Sequence, residues 1–139
     1  MVATVALTGA ACDEALSRVT GPTPNLTVSF ASIQRDIFAA PDSSGRPGCV
    51  SCHSDALARF NGGLSLQSNP YTSLVGAAAV FKRGATRVIP GDPNGSYLIQ
   101  KLEGRGGIVG ARMPFGGPYL TDGQISVIRR WIELGAQNN

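Results

Sequence analysis

Histidine is the scarcest informative residue in this chain. His53 is the only one, which excludes a metal or cofactor held between two imidazoles of the same chain. Methionine is nearly as rare, with Met113 the only one besides Met1. Cysteine occurs three times, as Cys12, Cys49 and Cys52, and an odd number argues against a simple disulfide framework. Charge is sparse: 15% of residues are Asp, Glu, Lys or Arg, and 12 basic against 9 acidic residues leave a net charge of +3. The basic residues form no dense stripe, so nucleic acid is not an expected partner. The groupings Lys82, Arg83, Arg87 and Arg129–Arg130 read as solvated surface charge or as a docking patch for an acidic partner. No internal repeat is present.

What remains fits one domain with a tail. The 139 residues are 42% hydrophobic, enough for a modest core. The 18 glycines and 9 prolines predict short helices separated by long connections. Residues 1–27 read as a signal-like or anchor segment and linker, and 28–139 as the folded domain. The opening eleven residues are apolar, uncharged and small, ending in Gly9-Ala10-Ala11 before Cys12. That pattern suits a secretory signal and acylation of Cys12, hence membrane attachment. Against it stand the missing basic start and Gly9 at the position where a lipobox places Leu, and the competing reading is a thiol in a flexible end. The run is far too short to span a bilayer.

From Ser29 the pattern becomes periodic. Phe30, Ile33 and Ile37, with Phe38 alongside, predict an amphipathic helix. Residues 54–59 can continue as a helix that Gly62-Gly63 ends, and Pro70 to Val80 predicts another, with Tyr71, Leu74, Val75 and Ala78 on one face. Asp92 is placed to cap a helix with Pro93 at its first position and Gly104 as its stop. Thr121 and Gln124 form a capping box for a helix whose stripe is Ile125, Ile128 and Ile132, widened by Val127, Trp131 and Leu134, with Gly135 as its stop. The fold expected is mainly α, a bundle of four to five short helices with long Gly/Pro-rich loops.

The chemistry concentrates in Cys49-Val-Ser-Cys52-His53. Two cysteines a turn apart followed at once by histidine are the attachment motif of c-type haem. Each thiol can add to one vinyl group of neighbouring pyrroles, and the histidine then faces the iron. A zinc knuckle would need two further ligands, and only Cys12 is on offer. A thioredoxin-type pair would need a βαβ context, and a plain Cys49–Cys52 disulfide leaves the sole histidine unexplained. With no second histidine, the sixth ligand falls to Met113, in the Gly-rich stretch 110–117, where Pro114 stiffens the backbone. The competing reading of Met113 is a core filler. Arg112 can pair with a propionate or stay solvated. Leu66, Leu74, Ile89, Leu98, Leu102 and Trp131 are the apolar candidates for the pocket.

Phe30 to Ala136 resembles monohaem cytochrome c domains related to class I cytochromes c, of the kind common in planctomycetes and other environmental bacteria. The matching pieces are the Cys-x-x-Cys-His run, Gly62 to Leu66, Val88 to Leu98, Lys101 to Gly104, Arg112 to Pro114, and Ile128 to Ile132 with Gly135-Ala136. The resemblance implies a helical envelope around one covalent haem, with the first and last helices crossing and with His53 and Met113 as axial ligands. It also implies a home on the periplasmic side of a bacterial membrane. The expected role is electron transfer without enzymatic activity, serving soluble redox partners or, as a fixed subunit, a membrane electron-transfer complex. A peroxidase or gas sensor would require Met113 off the iron.

Overall fold

A computed structural model of the chain describes residues 21–23 and 25–139. The expectations for the signal-like run and for Cys12 lie outside the described residues. Within them the protein is mainly helical and contains no strand.

The first helix, α1 (Phe30–Ile33), is capped by Ser29, whose Oγ accepts from the Ser32 amide at 3.2 Å. It passes without a break into a π-turn over Gln34–Ala39. The expected stripe is kept: Phe30, Ile33, Ile37 and Phe38 are all buried. The first amides of a helix have no partner inside it. Here those of Phe30 and Ala31 donate to the side-chain and main-chain oxygens of Asn139, at 3.0 and 2.8 Å. The Phe30 ring lies 5.3 Å from Tyr71 and 5.4 Å from Trp131, which joins α1 to the last helix.

Two expected helices are shorter or missing. Residues 54–59 form turns with only a 3-10 turn at Ala58–Phe60. The next helix, α2 (Pro70–Leu74), stops six residues before the expected end. Val75 is extended and Gly76 takes φ +71°, so the chain leaves the helix and folds back on itself. The amides of Gly76, Arg87 and Ala79 donate to the carbonyls of Val88, Ala77 and Ala85 at 2.8–2.9 Å. This makes a narrow excursion with its tip at 80–84. A short apolar run fits either structure by periodicity alone.

Helix α3 (Tyr97–Glu103) begins four residues after the expected first position. Asp92 closes a turn ahead of it instead: its Oδ1 accepts from the Gly95 amide at 2.8 Å, and its carbonyl accepts from Ser96 Oγ at 2.7 Å. Gly104 ends α3 with φ +70°, a conformation glycine adopts without steric cost. Helix α4 (Asp122–Glu133) carries the full capping box, Gln124 N to Thr121 Oγ1 at 3.2 Å and Thr121 N to Gln124 Oε1 at 2.9 Å. Ile125, Val127, Ile128, Trp131 and Ile132 are buried, whereas Leu134, past the end of the helix, is exposed.

At four to twelve residues these helices could not persist alone in water; packing holds them. One hydrophobic cluster joins α1 and its π-turn, α3 and α4 with Leu66, Leu74 and Val88. Each fully buried Ile or Leu contributes about 1.5–3 kcal/mol. Leu26 belongs to the same cluster, and Thr23 Oγ1 accepts from Gln124 Nε2 at 3.0 Å.

Candidate functional site

The cysteine segment is held from every side. Ahead of it, Arg46 is fully buried; its Nε meets Asp42 Oδ2 at 2.9 Å, and its Nη1 donates to the carbonyls of Ile37 and Pro47 at 2.9 and 3.1 Å. Gly48 follows, so close to the end of the π-turn that a Cβ there would lie 2.4 Å from the Ala39 carbonyl oxygen. Cys49–Ser51 is a single 3-10 turn, and the His53 amide donates to the Cys49 carbonyl at 2.8 Å. The His53 carbonyl accepts from the Leu66 amide at 2.8 Å, and Gln34 Nε2 fixes the Leu66 carbonyl at 2.8 Å. Asn61 Nδ2 fixes the Cys52 carbonyl at 2.6 Å.

Cys49, Cys52 and His53 form one wall of a cavity of about 570 Å³, within the roughly 300–1,000 Å³ typical of ligand sites. Leu66 and Leu74 line it from the connecting segments, and Leu98 and Leu102 from α3. Met113 and Pro114, from the loop after α3, line it as well. Nine of the residues singled out in the sequence therefore meet at one place. Three do not line it. Trp131 faces the core beside Phe30 and donates its Nε1 to the Gln137 carbonyl at 2.8 Å. Ile89 pairs with Asp92 in the turn before α3. Arg112 turns back, donating from Nε to the Leu102 carbonyl at 2.7 Å with its guanidinium 4.1 Å over the Tyr119 ring. Sequence reading missed Phe38, Arg87, Tyr97, Lys101 and Phe115, all in the lining. Phe38 was legible as apolar and periodic; the others carry no local signal.

The wall that bears Met113 is a loop hung from α3. Lys101 Nζ donates to the carbonyls of Val109 and Ala111 at 2.9 and 2.5 Å, and the Met113 amide donates to the Lys101 carbonyl at 2.9 Å. Tyr97 Oη accepts from the Val109 amide at 2.8 Å. Gly104 lets Arg112 pass, since a Cβ would sit 2.8 Å from its Cδ.

Electrostatics favour uncharged donors. Burial holds the His53 imidazole below its usual pKa; the Leu64 backbone opposes it, and the charges of Arg87 and Lys101 add smaller downward pushes. His53 Nδ1 is buried without a well-formed hydrogen bond, and the residue lines the cavity. Burial likewise raises the Cys49 thiol, with Arg46 opposing. Both cysteines are free, Cys52 exposed and Cys49 half-buried. A neutral imidazole, a thioether and two thiols around an apolar space suit a metal-bearing macrocycle held covalently. No group of three or more His, Cys, Asp or Glu side chains that could cage a metal occurs among the described residues. Without a strand among them, the setting of a thioredoxin-type pair is missing too. No helix among the described residues is long and apolar enough to cross a membrane. The chain matches no protein-family model, no curated protein and no solved structure.

Proposed function

We propose that this cavity holds one haem, joined to the chain through Cys49 and Cys52 and ligated by His53 and Met113, and that the protein carries single electrons between redox partners. One observation supports this above the rest. The paired cysteines, the only histidine and the only internal methionine line the same cavity, although sixty residues separate His53 from Met113.

The residues fit the group. The lining is mostly apolar, as a flat macrocycle requires. Burial favours the neutral form of His53, and neutral imidazole is the ligating form. The Cys49 and Cys52 thiols would hold the group covalently, each by adding its S–H across a vinyl double bond, an addition that would consume no oxidant. When bound, the haem supplies one-electron redox chemistry. The apolar lining would keep water from the group, and His53 and Met113 would hold its iron. An iron held by two side chains of the chain itself would leave no place for a substrate, which favours a carrier over a peroxidase or gas sensor.

Val80, Phe81 and Phe115, which line the cavity, are 64%, 59% and 80% exposed, so its mouth is the natural place for a partner to dock. A free shuttle and a fixed subunit of a membrane complex would use that mouth alike. A periplasmic location goes with this reading.

Oxidised holoprotein should show the weak near-infrared band of an iron–thioether bond. Met113→Ala should remove the band, open the iron to small ligands, and lower the potential within the ~0.8 V range that axial ligands span. An unchanged spectrum and potential in Met113→Ala would remove Met113 from the iron and return the open-site readings.

A further inference from the structure

The cavity is not uniformly apolar. Two cationic side chains, Arg87 and Lys101, stand in its lining, and no Asp or Glu does. Elsewhere among the described residues, Arg35, Arg46, Arg105, Arg129 and Arg130 each reach a carboxylate. Arg87 and Lys101 form no such pair, nor do Arg59, Lys82, Arg83 and Arg112, but of these six only Arg87 and Lys101 line the cavity. Their contacts run to main-chain oxygens: Arg87 Nη1 and Nη2 donate to the carbonyls of Ser73 and Gly62 at 2.6 and 2.7 Å, and Lys101 Nζ to those of Val109 and Ala111. These bonds orient the charges without neutralising them.

Donor arithmetic leaves capacity over. An ammonium has three N–H donors and a guanidinium five, so after two bonds each Lys101 keeps one donor and Arg87 three. Both charges are partly withdrawn from water, and burial lowers the pKa of each. A desolvated cation without a counter-charge is unfavourable, and an anion delivered to it relieves that cost. Both line the same cavity as His53.

We propose that Arg87 and Lys101 are the carboxylate-binding end of the cavity and receive the two propionates of the haem. The inference rests on the haem reading above. It takes the role from Arg112, whose Nε is spent on the Leu102 carbonyl and whose guanidinium covers Tyr119 outside the lining.

The test uses holoprotein made in a haem-attaching host, with the propionate carbons isotopically labelled. Infrared spectroscopy reads the carboxylate stretch, redox titration the midpoint potential, and intact mass the attachment. Arg87→Gln and Lys101→Gln should keep the haem, shift the labelled stretch, and lower the potential, because a positive charge near the iron is lost. Arg87→Lys should shift the stretch but hold the potential near wild type, since charge stays while the planar fork is lost. Arg83→Gln, exposed and outside the lining, should change neither. If Arg87→Gln does not accumulate, Arg87→Lys and Lys101→Gln decide the matter by the same readouts. Glutamine variants that keep haem with wild-type bands and potential would overturn the proposal and leave the haem reading intact. So would variants that lose thermal stability alone, which would make the two cations braces for the backbone. A wild-type protein without haem would remove both.

Discussion

The wall that carries Cys49, Cys52 and His53 is continuous with the hydrophobic core, whereas the wall that carries Met113 hangs from α3 by polar contacts. On the first side Arg46 and Gly48 are buried, and Cys49 and Val50 pack against the core cluster. On the second no residue from Arg105 to Tyr119 is buried; hydrogen bonds to Tyr97, Lys101 and Leu102 hold the loop in place. Segments with few buried apolar contacts open at lower free energy than the core does. One wall should therefore be lost only when the protein unfolds, and the other should open within the folded state. In the proposed haem site, His53 would then be the fixed donor and Met113 the one that can yield.

The sharpest way to break this comparison is at the buried ion pair. Arg46→Met leaves the Asp42 carboxylate, only 3% exposed, without its partner, and should cost about 3–5 kcal/mol in urea unfolding. A cost within the ~0.5 kcal/mol of ordinary surface substitutions would detach the cysteine wall from the core. The pair also sets a pH dependence. Burial raises the Asp42 carboxyl, but bonds from Ser44 and the Arg46 charge outweigh it, and the net shift is downward. Its contribution is therefore full above the unfolded carboxylate value of about 3.9, and is lost as pH falls through the lower folded value. Asp42→Asn should remove that part of the acid sensitivity.

Gly48→Ala comes next. The added methyl must displace the Ala39 carbonyl, and a forced shift of packed backbone costs about 1–3 kcal/mol. Equal stability to wild type would show that the 40–48 loop gives way freely. The smallest effect belongs to the hanging wall. Tyr97→Phe deletes one acceptor for the Val109 amide, about 0.5–1.5 kcal/mol. It should appear as faster amide exchange at Val109 and Met113, with His53 and Ile128 unchanged. Faster exchange at His53 than at Met113 would reverse the ranking of the two walls.

What was legible in the sequence follows the range of the interactions. The Thr121–Gln124 box and the Gly104 stop are local bonds with local signatures, and both are where the sequence puts them. Cys49, Cys52 and His53 were legible for the same reason, since one turn of chain contains them. The helix expected over Pro70 to Val80 was not, because its end depends on Gly76 and on pairing with Val88, thirteen residues beyond Val75. Asp92 has the chemistry of a cap, yet Ser96 Oγ takes its carbonyl and moves the helix start. The stripe of α4 is buried except at Leu134, but periodicity does not say against what, and Trp131 faces Phe30 instead of the cavity. Arg112 was chosen because it adjoins Met113 in sequence. Arg87 and Lys101 reach the lining through the fold-back of 75–89 and through α3, and no window of the sequence contains that juxtaposition.

The central claim, one haem bound covalently through Cys49 and Cys52, is tested most directly by the intact mass of the protein after full denaturation, purified from a host that attaches haem. The account predicts the 14.4 kDa polypeptide plus one haem, retained in denaturant. Cys49→Ala and Cys52→Ala should each leave at most one thioether or yield no holoprotein. A wild-type chain recovered from that host at its bare polypeptide mass would contradict it.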